Sequence, residues 1–331
     1  RITVRRSRFD HAPARAMTPF TGRGGELERL LGLFNEMRTD GGGRLAVVIG
    51  EAGIGKSRLV HEFLRTIARR NVLALDGGAA PYGSGSGYRP GVHILRQYFN
   101  IGEADDVRTV QEKVAGRIVA LDGDSNAVGA PLLALLRALP ENHRFMEQPV
   151  SERRQRVFAA LKWLAGRMTA DRPLVLAYED LQWVTSDTRD FLDAFVHNLP
   201  PTTLVLLTYR PDYDAGWLAD RPRLELRLDG LTPDAIRKII TDLLGEDESL
   251  AALNDDLPRR SGGNPLFIEE YVRSMVESGA LLGQPGRYRL EMRPGTATIP
   301  PTVRGVLAAR IDRVARADKL VLRTIAAIGE V

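Results

Sequence analysis

Eight consecutive residues constrain this chain more than any others: Gly50-Glu51-Ala52-Gly53-Ile54-Gly55-Lys56-Ser57, two glycines with four residues between them, then Lys-Ser. They follow the apolar run 45–49, which reads as a buried strand. They precede Leu59, Val60, Phe63, Leu64 and Ile67 at helical spacing, so the stretch turns the chain from strand into helix. Glycines let a backbone wrap closely around an anion, and successive N–H groups at the helix N-terminus then point at it. In that setting Lys56 reaches terminal phosphates and the Ser57 hydroxyl is placed to hold Mg²⁺. The expectation is a site for a nucleoside triphosphate. Of 46 basic residues only five are Lys (56, 113, 162, 238 and 319), and one stands where a compact point charge suits a phosphate better than a planar fork.

At 331 residues, 44% apolar and 27% charged, the chain is long enough for two or three folded units and is not generally disordered. The absence of cysteine removes disulfides, Cys-ligated metals and thiol nucleophiles, and the five scattered His show no metal spacing. No apolar run approaches the roughly 20 residues of a membrane span, so no membrane partner is expected and the cytoplasm is the expected compartment. The pI of about 9.5 invites a nucleic-acid reading. Residues 1–18, however, carry five Arg against one Asp, which accounts for the whole net charge of +4. A neutral body of mixed sign argues against a nucleic-acid partner, and the basic leader reads as a solvated linker rather than a nucleic-acid arm. Both ends read as internal to a larger protein.

After the leader, Phe20-Thr21-Gly22-Arg23 opens a helix carrying Leu27, Leu30, Leu31, Leu33 and Phe34. Further strands are expected over 71–76, 173–178, 203–209 and 224–228, with helices between them, including 151–168. Strands alternating with helices mean a mostly parallel sheet covered on both faces. From about residue 230 strand signals fade and helices are expected over 233–244, 250–257, 264–278, 301–314 and 317–328. That shift marks a domain boundary. The glycine- and serine-rich stretch 83–87 reads as a flexible loop.

A phosphate loop needs an acid for Mg²⁺ and a group to orient the attacking water, both best placed at the end of a neighbouring strand. The run 174–178 followed by Glu179 and Asp180 supplies both. By position Glu179 lies near Mg²⁺ and Asp180 polarises water, and the two roles can be exchanged. The strand 204–209 ends in Arg210, which sits where a guanidinium can sense the terminal phosphate and stabilise transition-state charge. The plainer alternative pairs Arg210 with a surface acid. Gly262-Gly263-Asn264-Pro265-Leu266-Phe267 starts a helix, with Asn264 as cap and Pro265 early in the first turn.

Phe20-Thr21-Gly22-Arg23, the phosphate loop, Glu179-Asp180-Leu181-Gln182-Trp183, Thr208-Tyr209-Arg210-Pro211 and Gly262-Gly263-Asn264-Pro265-Leu266-Phe267 occur here in that order. Over residues 19–331 the chain resembles the nucleotide-binding core of signal-transduction ATPases with numerous domains, a class related to AAA+ proteins. Within that class it is most similar to modules fused behind class III nucleotide cyclase domains or ahead of LuxR-type DNA-binding domains. The stretch 7–20 is similar to the joint that follows a cyclase domain.

The resemblance implies an α/β P-loop NTPase fold: a five-stranded, mainly parallel sheet of order 5-1-4-3-2 over 19–229, a helical lid over 230–297 and the start of a winged helix over 298–331. It implies ATP or ADP with Mg²⁺ as bound groups. Gly50, Gly53, Ile54, Gly55, Lys56, Ser57 and Arg58 would hold phosphates; Thr21, Gly22, Arg23 and Pro265 would border adenine or sugar; Ser57, Glu179 and Asp180 would serve the metal. Lys56, Glu179, Asp180 and Arg210 would carry hydrolysis. Members of the class often carry His where Gln182 stands and Asp where Thr185 stands, and no trans-acting arginine is identifiable, so fast turnover is not expected. The implied partners are flanking cyclase or DNA-binding output domains, C-terminal sensor repeats and a second copy of the chain in an ATP-dependent assembly. A nucleotide-controlled switch with slow hydrolysis is the leading expectation. A cycling AAA+ motor or loader acting on a polymer or partner protein is the alternative, and a scaffold that binds nucleotide without cleaving it is a third.

Overall fold

The computed structural model describes residues 19–78 and 89–291. The basic leader, the 83–87 loop and the expected winged-helix segment 298–331 lie outside those residues.

The sheet has five parallel strands in the order β2-β3-β4-β1-β5: β1 (Arg44–Gly50), β2 (Leu73–Gly78), β3 (Leu174–Glu179), β4 (Thr203–Tyr209) and β5 (Leu224–Leu228). Read from the other edge this is the expected order 5-1-4-3-2. The central strands are apolar at almost every position because both faces are covered. Leu45, Val47 and Ile49 of β1 pack into a layer with α3 (Arg89–Tyr98), α4 (Val107–Val119), α5 (Ala130–Leu135), the short α6 (Arg144–Glu147), α7 (Val150–Met168) and α8 (Ser186–His197). Ala46 and Val48 face the opposite layer, where α1 (Gly24–Asp40) supplies Leu30, Phe34 and Met37 and α2 (Lys56–Ile67) supplies Leu59, Phe63 and Ile67. Phe34 and Phe63 meet edge to face at 6.2 Å, fixing α1 against α2.

The register sets the working edge. Ile49 lies beside Tyr209, Gly50 beside Leu228, and Gly78 beside Glu179. The phosphate loop, the acid pair and Arg210 therefore all leave the sheet at its C-terminal edge, where open parallel sheets carry their ligands.

The second strand starts two residues later than the 71–76 run suggests. Asn71 takes a left-handed backbone (φ 51°), so it ends the preceding turn and cannot open an extended strand.

Beyond residue 230, α9 (Pro233–Leu244), α10 (Ala251–Ser261) and α11 (Pro265–Glu277) share their own core of Ile236, Ile239, Ile240, Leu253, Leu257, Phe267 and Ile268. Two details differ from the sequence reading. Helix α10 runs past Pro258 to Ser261, whose hydroxyl donates to the Pro258 carbonyl at 3.0 Å within the last turn. The helical unit also closes with an antiparallel hairpin, β6 (Leu281–Gln284) and β7 (Arg287–Leu290), turning at Pro285-Gly286. Backbone bonds from Gly286 to Leu243 and from Glu291 to Ala280 (2.8 and 3.0 Å) hold it against α9 and the end of α11. Only Leu281 of β6 is buried, so the strand carries almost no hydrophobic alternation.

Candidate nucleotide site

Strand β1 hands over to α2 through a loop with two residues at positive φ, Gly53 (79°) and Gly55 (107°). A side chain at Gly55 would strain the backbone where it must curl back into the helix. The Ile54 N–H turns inward to the Glu51 carbonyl at 3.3 Å, and the first helical bond of α2 runs from Leu59 N–H to Gly55 O at 2.9 Å. The N–H groups of Lys56, Ser57 and Arg58 precede that bond, so they are the helix-end donors that an anion satisfies.

Lys56 is 6% exposed, and its ammonium donates to the carbonyls of Gly50 and Glu51 at 2.7 and 3.0 Å. Burial pushes this lysine below its ordinary pKa. The charge of Asp180 opposes that shift most strongly, Arg210 adds to it, and Glu51 and Glu179 oppose it. One ammonium thus feels the acid pair and the arginine together. A buried, desolvated cation among loop carbonyls gains by exchanging them for phosphate oxygens.

The facing wall comes from the ends of β3 and β4. Glu179 is the last residue of β3 and 5% exposed. Asp180 takes a left-handed conformation (φ 59°), its N–H donates to the hydroxyl of the buried Thr208 at 3.0 Å, and its carboxylate accepts from the Gln182 amide at 3.1 Å. Gln182 Oε1 is buried without a hydrogen-bond partner among the described residues. Residues Leu181–Trp183 form a single 3₁₀ turn that presents the half-exposed indole of Trp183, and the Arg210 guanidinium lies over that ring, 5.4 Å from its centre. Arg210 is therefore packed on an aromatic face and forms no ion pair with a surface acid among the described residues. Thr185 accepts from the Thr188 N–H and caps α8, work an Asp does equally well.

The third side is the start of α11 and the chain leading into α9. Asn264 caps α11 by accepting from the Leu266 N–H at 3.0 Å, while its amide donates to the Ala52 carbonyl of the phosphate loop, also at 3.0 Å. Leu266 packs so closely on Gly53 that a Cβ added there would stand 2.7 Å from it. Pro265, between Asn264 and Leu266 in the chain, is the first residue of α11. Ahead of α1, the hydroxyl of Thr21 donates to the Pro19 carbonyl at 3.1 Å, and Gly22 abuts Leu231 and Ala235 where the chain enters α9. Arg23, 7% exposed, donates to the carbonyls of Ile54 and Asp229 and pairs with Glu26 at 2.9 Å. It joins the phosphate loop, the chain that follows β5, and α1.

Of the expected residues, the loop, the acid pair, Arg210 and the segments around Thr21 and Pro265 thus surround one edge. The Arg58 guanidinium pairs with the buried Glu62 at 3.0 Å. Trp183, Thr208 and the Asn264 tie to Ala52 were not expected. Trp183 carries a sequence signal as the aromatic three residues past the acid; the other two are contacts between distant segments.

Ser57, Glu179 and Asp180 offer hard oxygens at this edge. No group of three or more His, Cys, Asp or Glu among the described residues forms a metal cage. That donor set fits Mg²⁺, which is typically held by one or two protein oxygens and completes its shell with phosphate oxygens and water. No helix among the described residues is long and apolar enough to cross a membrane.

A family model described as an AAA ATPase domain matches residues 19–207. The protein R02095 of Rhizobium meliloti (strain 1021) is 30% identical over 238 residues, 70% of this chain and 22% of that protein, so the chain spans about a fifth of this curated relative's length. Among solved structures the chain is similar to the ORC1 protein of Aeropyrum pernix in complex with DNA, with 14% identity, 96% of this chain and 75% of that one covered, and a TM-score of 0.46. It is likewise similar to a RuvB of Thermotoga maritima, with 16% identity, 93% and 77% covered, and a TM-score of 0.41.

Proposed function

The chain belongs to the AAA ATPase domain family, and on that premise we propose that it is an ATP- and ADP-binding switch with slow Mg²⁺-dependent hydrolysis. The observation that carries this reading is the seating of the lid on the phosphate loop. Asn264 holds Ala52 and Leu266 covers Gly53, so a change at the phosphates is felt by α11. In this account residues 19–229 bind and cleave nucleotide, 230–297 form the lid and 298–331 begin the next domain.

Gly50, Gly53, Ile54, Gly55, Lys56, Ser57 and the Arg58 N–H hold the phosphates, with Thr21, Gly22, Arg23 and Pro265 bordering the nucleoside. Ser57 and one of Glu179 and Asp180 hold Mg²⁺, which supplies charge neutralisation on the phosphates when bound. The other acid accepts the proton of the water that attacks the terminal phosphorus as the bond to the ADP oxygen breaks. Arg210 senses the terminal phosphate.

ADP favours the seated lid, and ATP favours an open, assembling form. Shifting a population from 1:99 to 99:1 takes about 5.5 kcal/mol of differential binding, within reach of a few buried charge-assisted contacts. The output is control of a larger signalling protein, a cyclase or a transcription regulator; its support is the ordered motif set and the similarity of the 7–20 stretch to a cyclase joint.

The test compares the wild-type chain and Lys56→Ala for nucleotide retained through purification and for molecular mass in solution with ADP or a non-hydrolysable ATP analogue. The switch requires bound nucleotide and a nucleotide-dependent mass in the wild type alone. Equal retention and equal mass in both proteins would sink it.

A further inference from the structure

The contact between Arg210 and Trp183 has no part in the nucleotide-binding roles described above. The two residues come from different strand ends, and a second tie joins the same ends. The Asp180 N–H bonds the Thr208 hydroxyl at 3.0 Å, three residues before Trp183 and two before Arg210. The 3₁₀ turn that carries the indole is itself fixed by Trp183 N–H to Asp180 O at 2.9 Å and Val184 N–H to Leu181 O at 3.1 Å. The ring is therefore set on a braced turn. Arg210 follows β4 directly and is held from behind by the Tyr213 N–H bonding its carbonyl at 3.0 Å.

An aromatic face attracts a guanidinium through its quadrupole and consumes none of the five N–H donors. A carboxylate partner would do the opposite: it would occupy those donors and neutralise the charge a phosphate needs. Seated on the ring, Arg210 keeps its charge and its hydrogen-bonding edge while losing much of its rotamer freedom. Its charge reaches Lys56 in that position.

We propose that Trp183 is a positioning residue that holds the Arg210 guanidinium ready for the terminal phosphate, and so sets the preference of the site for ATP over ADP. This rests on the reading of Arg210 as the sensor of that phosphate. ADP lacks the group Arg210 would meet, so Trp183 bears on ATP binding alone. Much of the ordering of Arg210 then precedes ATP, and that part of the cost is removed from binding.

The test measures ATP-analogue and ADP affinities for the whole chain and for Trp183→Leu, Trp183→Phe and Arg210→Ala. Trp183→Leu is expected to lower the ATP-to-ADP affinity ratio about 3- to 10-fold with ADP affinity unchanged, and Trp183→Phe to restore part of it. Unchanged ADP affinity also reports an intact fold. In a W163F/W217F background Trp183 is the one remaining indole of three. Its emission is expected to respond to the ATP analogue more than to ADP. A wild-type ratio in Trp183→Leu alongside a collapsed ratio in Arg210→Ala overturns the proposal and leaves the sensor reading standing. A wild-type ratio in Arg210→Ala overturns the sensor reading and the proposal with it. Should Trp183→Leu lose ADP binding, the single-indole protein decides: an equal response to both nucleotides overturns the proposal.

Discussion

The two walls of the nucleotide site are built by different means. The phosphate loop is a backbone structure, made by glycines at positive φ, a strand end and the unsatisfied N–H groups of a helix start. The opposite wall is a side-chain structure in which Thr208 holds the Asp180 backbone, Gln182 holds its carboxylate and Trp183 carries Arg210. A backbone site needs fixed residue types at fixed spacing, whereas a side-chain site needs only partners that meet in space. In the proposed switch the first wall would confer affinity for any nucleotide with phosphates, and the second would distinguish which phosphates are present.

Substitutions should separate the walls. Lys56→Ala removes the buried ammonium from the first wall and is expected to weaken both ATP and ADP by roughly 100-fold or more, as two charge-assisted contacts of about 1.5–3 kcal/mol each disappear. Titration calorimetry checks it, and a loss confined to ATP would contradict the division. Thr208→Val leaves the Asp180 N–H without its acceptor and is expected to cost about 1–3 kcal/mol of stability, with hydrolysis falling more than ADP affinity. Chemical denaturation and phosphate release measure the two effects. ADP affinity falling as far as hydrolysis would show that the walls are one unit.

Asn264 joins the first wall to α11, the proposed lid, and Asn264→Asp retains the cap on Leu266 while removing the donor to Ala52. The expected result is near-normal stability with nucleotide-dependent lid behaviour weakened a few-fold, about 1 kcal/mol. Asn264→Ala should lose the cap as well, at about 1 kcal/mol of stability. Equal coupling in wild type and Asn264→Asp would show that this tie carries nothing.

The smallest effect is one of pH. Lys56 is held below the ordinary lysine value in the folded chain, chiefly by burial. Between the folded and unfolded values the unfolded chain binds more protons, so this group's contribution makes the fold more stable as pH rises through that alkaline window. Below the folded value the full penalty of keeping the ammonium buried is present. Melting curves of wild type and Lys56→Met are expected to differ in slope there, the wild type gaining relative to the variant as pH rises. A constant difference would mean that Lys56 is not desolvated.

What was legible in the sequence follows the same division. Residues 50–57 specify their own conformation, and β4 and β5 fall where their apolar runs place them. Strand β2 starts at Leu73 because the left-handed turn at Asn71 is a backbone choice that hydrophobicity does not encode. Hairpin β6-β7 escaped because it buries little beyond Leu281, although Pro285-Gly286 marks its turn. Asn264 reads locally as a helix cap, which it is, but its second hydrogen bond reaches 212 residues back along the chain. Trp183 and Arg210 were each visible at a strand end, and only the parallel pairing of β3 with β4 brings them together.

In the proposed switch, nucleotide state and the position of α11 are coupled through the contact of Asn264 and Leu266 with the phosphate loop. Amide hydrogen exchange over 262–277, compared with ADP and with a non-hydrolysable ATP analogue, tests it most directly. The start of α11 is expected to be more protected with ADP than with the ATP analogue, while 50–58 is protected by both. Protection of 262–277 that is the same with either nucleotide would contradict it.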